Sequence, residues 1–214
     1  GIINDNRGEA DKALEYYEKA IGLNPLYNRA YFFAANIYLD MGMTDKAKEY
    51  FIKVLEMDPE DLWSYINMGS AYEREGDYIR AKELFQKALD IDSYHHIALF
   101  DMGVVNDRLG DTEAAEYYYR MSIKENPAYP YSYLNLAVLL KSGGNYGEAI
   151  EVITEGIRNN PDEGFLLYNR ACFYCHEGRI EEAVVDLKQA IELYPEFREY
   201  IEEDEELERV TAFL

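Results

Sequence analysis

The 214-residue chain sets 21 Lys and Arg against 42 Asp and Glu, a formal net charge of -21, and 48% of its residues are hydrophobic. That apolar share suffices for a folded core, while the charge argues against binding nucleic acid or anionic lipid, both of which need excess Lys and Arg. No run approaches the roughly 18 apolar residues of a membrane span. Cys172 and Cys175 alone form no disulfide framework, so the expected setting is a reducing cytoplasm.

From the N terminus, residues 10–23 read as a helix without most of its partner, because Gly1 to Arg7 is too short to supply one. Residues 1–27 are therefore a partial repeat, mostly its second helix, and Leu14 and Ile21 are expected on an exposed edge. Earlier repeats, or a second copy of the chain, would cover that edge. The opening on Gly1 rather than Met suits a fragment that has lost earlier repeats.

Three residue columns then keep a 34-residue interval. Gly8, Gly42, Gly76, Gly110, Gly144 and Gly178 form the first, where a left-handed residue ends a helix at no steric cost. Ala13, Ala47, Ala81, Ala115, Ala149 and Ala183 form the second, where two backbones must approach. Pro25, Pro59, Pro127, Pro161 and Pro195, with Ser93 in the missing place, end the second helix of each unit. First helices are predicted near 28–41, 62–75, 96–109, 130–143 and 164–177, and second helices near 44–57, 78–91, 112–125, 146–159 and 180–193. The repeats so delimited are 28–61, 62–95, 96–129, 130–163 and 164–197. Residues 198–214 are expected to form an acidic capping helix that lays Tyr200, Ile201, Leu207 and Val210 on the last hairpin.

Aromatics recur as well: Tyr31, Tyr65 and Tyr133 in one column, Tyr17, Phe51, Phe85 and Tyr119 in another. They read as knobs between hairpins. Gly69, Tyr72, Ala81, Phe85 and Ala88, with Ser93 for the proline, resemble the tetratricopeptide repeat, and the resemblance covers about residues 6–196. Asn106 and Leu140 depart from the Tyr slot, and Val54, Ser122 and Gly156 from the second Ala slot, which should loosen local packing. The resemblance implies an all-α, right-handed superhelical solenoid of antiparallel helix hairpins, with the first helices lining a concave groove. It also implies a protein–protein interaction scaffold that binds a peptide or helix of a partner.

On that groove the resemblance places Asn67, Asp101, Asn135 and Asn169 in one column, with Phe33 in the first full repeat. An Asn amide donates to and accepts from a peptide backbone at once, so this ladder is a candidate site, against the plain alternative that Asn is common at this slot. Arg74 and Arg108 stack one repeat apart and could select an acidic group, or simply pair with Glu73 and Asp107. Phe32, Trp63, Ile66, Phe100 and Phe165 are expected on the same side as aromatic or apolar anchors. Asn36 and Asn67 match two positions of the family's carboxylate clamp, but Phe32, Ile97 and Asp101 fill its basic positions, so that activity is not expected. The candidate partner-binding residues are thus Asn36, Asn67, Arg74, Phe100, Asp101, Arg108, Asn135 and Asn169.

Cys172-Phe173-Tyr174-Cys175-His176 matches a haem attachment pattern and could also present zinc ligands on one helical face. It lies inside a regular repeat helix with no second ligand pair, so packing is the preferred reading and no cofactor or metal is expected. No phosphate loop, nucleophile elbow or H-E-x-x-H appears, which favours a binding module over an enzyme. The expected partner is a protein or peptide, with no nucleic acid and no membrane. The chain is expected to be a monomer. The rival readings are a structural module that self-associates through the open N-terminal edge, or the substrate-recruiting part of a larger enzyme.

Overall fold

The computed structural model describes residues 2–211, 213 and 214, and every element among them is helical. None of these helices is long and apolar enough to cross a membrane. The helices fall into two compact units, residues 1–109 and 110–214.

The first unit holds α1 (Ile2–Leu23), α2 (Asn28–Asp40), α3 (Thr44–Met57), α4 (Leu62–Arg74), α5 (Tyr78–Ile91) and α6 (His96–Arg108). Pairs α2/α3 and α4/α5 are hairpins, α1 packs on α2, and α6 packs on α5 and α4. The second unit begins with α7 (Thr112–Glu125), which packs on α8 (Pro130–Ser142). It continues with α9 (Tyr146–Asn159), α10 (Gly164–His176) and α11 (Ile180–Leu193), pairing α8 with α9 and α10 with α11. All five expected second helices are reproduced to the residue, and the first helices stop one residue early.

The glycine column explains that stop. Gly42, Gly76, Gly110, Gly144 and Gly178 all have φ between +73° and +81°. At the end of α2 the Gly42 N–H donates to the Leu39 carbonyl (3.0 Å) and the Met43 N–H to the Tyr38 carbonyl (2.8 Å). Two carbonyls left over by the helix are thereby satisfied, and the chain reverses into α3. Second helices begin on side-chain caps where the sequence supplies them: Asp77 accepts from the Arg80 N–H at 3.2 Å and Asp111 from that of Ala114 at 3.1 Å. Gly8 behaves otherwise. It lies inside α1, which runs unbroken from Ile2, so the expected turn before residue 10 is not made.

The alanine column carries the close helix contacts. Ala47, Ala81, Ala115, Ala149 and Ala183 are fully buried, as are Phe51 and Phe85 of the aromatic column, and Tyr119 nearly so. The departures from the repeat pattern do not loosen packing as expected. Buried Asn106 donates to the Met102 carbonyl (2.6 Å) and accepts from the Lys82 ammonium (2.6 Å), while buried Ser122 bonds Ser132 at 2.8 Å. At Gly156 the missing side chain admits Tyr133, whose ring would stand 2.8 Å from an added Cβ.

Gly69 is tighter still, since an added Cβ would meet the fully buried Phe85 ring at 2.5 Å. Gly147, in the first turn of α9, has nothing within 4 Å of the same position. Gly69→Ala is therefore expected to destabilise by about 1 kcal/mol net, overpacking outweighing the gain in helix propensity. Gly147→Ala should stabilise by about 0.5–1 kcal/mol through that gain alone. Denaturant melts of the two variants check both signs.

Toward the N-terminal end, Leu14 is buried in a core cluster with residues of α2, α3, α4 and α5, contrary to its expected exposure, and Ile21 is half-buried. Exposed apolar groups among the described residues there include Tyr16 and Leu23 on α1 and Leu26 and Tyr27 just beyond it. At the other end the expected cap is present but divided into α12 (Phe197–Glu203), a 3-10 turn (Glu205–Leu207) and α13 (Glu208–Thr211). The break is at Asp204, in an extended conformation, whose carboxylate accepts the Glu206 N–H (2.8 Å) and the Tyr168 hydroxyl proton. This bend seats Ile201, Leu207 and Val210, all fully buried, on α10 and α11. Tyr200 points outward, 63% exposed.

Candidate functional site

In the first unit, the first helices α2, α4 and α6 present most of the residues singled out from the sequence. Asn67 on α4 donates from Nδ2 to Asn36 Oδ1 on α2 at 2.7 Å, and Asn36 donates in turn to the carbonyl of Phe32 at 3.0 Å. Both amides are half-buried. Asn67 keeps one N–H and its carbonyl oxygen without a partner among the described residues.

Asp101 on α6 is buried, and its Oδ2 has no hydrogen-bond partner. Burial holds its carboxyl well above the usual carboxylate range, and the negative charge of Glu73 on α4 adds to the effect. Burial also raises Glu73, against the pull of Arg108 and then of Arg74. Arg74 reaches α2 as well, its Nη1 donating to the Leu39 carbonyl at the end of that helix (3.3 Å). The two arginines are exposed, and their charges act on Glu73.

The aromatic anchors divide. Trp63 is exposed and meets His95 edge-on at 5.0 Å; Phe32 and Phe100 are half-buried. Phe33 stacks on Tyr17 at 5.7 Å, with the Arg29 guanidinium over its ring. Ile66 is a correction: only 2% exposed, it is core.

In the second unit Asn135 and Asn169 are both half-buried, and Asn169 donates back to the Phe165 carbonyl at 2.7 Å. Phe165 stacks on Tyr131 at 5.4 Å. The Cys172 and Cys175 thiols are buried. Burial, then the charges of Asp204 and Glu206, pushes Cys172 up to about 12 and Cys175 in the same direction.

The sequence reading missed one network. Arg170 on α10 forms a two-pronged pair with Asp186 on α11, both contacts 2.7 Å, and donates to Thr154 on α9 at 2.9 Å. Arg170 and Arg179 also lie over the Tyr174 ring at 5.6 and 4.3 Å. A signal was available. Arg170 follows Ala34, Met68, Met102 and Leu136 in its column, and Asp186 follows Tyr50, Leu84, Tyr118 and Val152. Two opposite charges displacing two apolar columns within one hairpin must face each other.

Antiparallel helix pairs, turned by left-handed glycines and closed over small residues, define an α-helical repeat protein. Sequence profiles described as tetratricopeptide repeat match residues 1–25, 26–93, 60–124, 118–151 and 164–197, and the chain belongs to that family. A 32-residue stretch is 53% identical to an uncharacterized protein, MJ0572, of Methanocaldococcus jannaschii; it covers 15% of this chain and 37% of the archaeal protein. Among solved structures, that of Pseudomonas aeruginosa PilF is similar at a TM-score of 0.76 and 19% identity, over 100% of this chain and 94% of the other. YrrB, described as a TPR protein with an unusual peptide-binding site, is similar at 0.64 and 23%, over 94% and 100%.

Proposed function

We propose that the chain is a protein-binding module in which the face of α2, α4 and α6 takes an extended peptide or a helix of a partner. The observation that carries this reading is the Asn36–Asn67 pair. Two half-buried amides on neighbouring first helices are fixed in register by a 2.7 Å hydrogen bond, and Asn67 has donor and acceptor capacity left over. A peptide group needs that combination. Arg74, Arg108, Phe100 and Asp101 flank the pair and would select side chains. Asn135 and Asn169 offer the second unit's half-buried amides for the same purpose. The peptide-binding site of YrrB, a protein of similar fold, supports the reading. The role proposed is binding rather than catalysis.

The test is selection of peptides from a random displayed library on the full chain, followed by titration of the best one. The double variant Asn36→Ala/Asn67→Ala is expected to keep its helicity and to bind about 10- to 100-fold more weakly, the loss of one or two hydrogen bonds with their desolvated partners. Selection of no peptide, or equal affinity for the double variant, overturns the assignment to this face.

A further inference from the structure

The start of α10, the turn after α11 and the first turn of α12 border an open cavity of about 300 Å³ lined by Glu163, Gly164, Phe165, Tyr194, Glu196, Phe197 and Tyr200. Gly164 is what allows it to be this tight, because an added Cβ would meet Tyr194 at 2.8 Å and Phe197 at 3.0 Å. Phe197 stands edge-on to both Tyr194 (6.0 Å, 71°) and Tyr200 (6.3 Å, 63°); one of its faces stacks on Tyr168 (5.8 Å) and one face of Phe165 stacks on Tyr131 (5.4 Å), so each of these two rings has its other face for a guest. Tyr194 and Tyr200 are open to solvent.

Elsewhere the protein covers its aromatic faces with its own cations. Lys48 and Arg80 lie over Tyr72 at 4.7 and 5.5 Å, and Arg179 over Tyr174 at 4.3 Å. No Lys or Arg of the described residues lies over Phe165, Tyr194, Phe197 or Tyr200, although Arg198 is adjacent in sequence. The two carboxylates are also unused: Glu163 and Glu196 precede α10 and α12 without capping them, and neither forms an ion pair among the described residues.

We propose that this cavity is a binding site for an arginine side chain of a partner protein, with the rings of Phe165, Tyr194, Phe197 and Tyr200 as its walls and Glu163 and Glu196 at its rim. Electron-rich ring faces attract a cation. A planar guanidinium stacks on them, sheds water more readily than an ammonium, and presents paired N–H groups to a carboxylate. The formal charge of -21 draws a basic partner toward the surface. This site is built from residues other than Asn36 and Asn67 and stands without the reading of that face.

Three acetylated pentapeptides, identical except for a central Arg, Lys or citrulline, are titrated into the full chain while the aromatic ring resonances are followed by NMR. The Arg peptide is expected to shift the cavity resonances saturably, with citrulline about tenfold weaker because it keeps the shape and loses the charge, and Lys in between. Tyr200→Ala, at an exposed position, and Glu163→Gln/Glu196→Gln should each weaken the Arg peptide about threefold or more without unfolding the chain. Equal response to Arg and citrulline, Lys binding as well as Arg, or variants that bind like the parent would each overturn the site.

Discussion

Arg170→Ala is expected to destabilise the second unit by about 3–5 kcal/mol, because it leaves the Asp186 carboxylate buried without its partner. Asp186 is 3% exposed, and both of its oxygens are held by Arg170 at 2.7 Å. The same change removes the donor to Thr154, so α9, α10 and α11 lose their shared polar link. A repeat array need not unfold in one step, and the loss should register locally. Hydrogen exchange is the suitable measurement: amides of α10 and α11 should lose protection while those of α2 to α5 keep theirs. The double change Arg170→Met/Asp186→Leu should restore stability to within about 1 kcal/mol or exceed it, because a buried pair is costly to break yet often no better than apolar packing. Repeats earlier in the chain already carry Met102, Leu136, Leu84 and Val152 in these columns. If Arg170→Ala melts like the parent, the pair is not a structural tie.

Periodic features were readable and interruptions were not. The glycine, alanine and proline columns gave both helices of every full hairpin, because each is imposed by a local backbone or contact requirement that repeats. Gly8 misled, since a left-handed turn forms only where a preceding helix must end against a neighbour; within a helix that continues, glycine is merely a poor helix former. The break at Asp204 was invisible because the acidic run around it looks like a uniformly solvated face until Tyr168 selects one carboxylate. Ile66 lies beside Asn67 in sequence but one helical step around, and that step separates core from open face. The cavity at Gly164 joins residues from the start of α10, the turn after α11 and the first turn of α12, and no single column brings them together.

Asp101→Asn is expected to raise stability at neutral pH by at least about 1 kcal/mol and to remove a pH dependence that the parent shows. An unfolded Asp titrates near 3.9. In the fold, burial and then the charge of Glu73 raise Asp101 well above that value. Below the unfolded value both states hold the proton, and no penalty arises. As pH climbs, the unfolded chain releases its proton first, and folding loses up to about 1.4 kcal/mol per pH unit until the folded group also ionises, after which the loss stays constant. The difference in unfolding free energy between variant and parent should therefore grow from about pH 4 upward. Glu73 is present in both proteins and enters the difference only through its repulsion of an ionised Asp101, while Arg108 and Arg74 offset part of its own burial. A difference that stays flat from about pH 4 to 8 would mean that Asp101 is ionised in the fold at the usual pH. The substitution is also chemically conservative. A protonated carboxyl carries one donor and one acceptor, much as an amide does, and Asn67, Asn135 and Asn169 occupy this same column. Asp101→Asn is therefore expected to keep the helical packing of α6 while stabilising the fold.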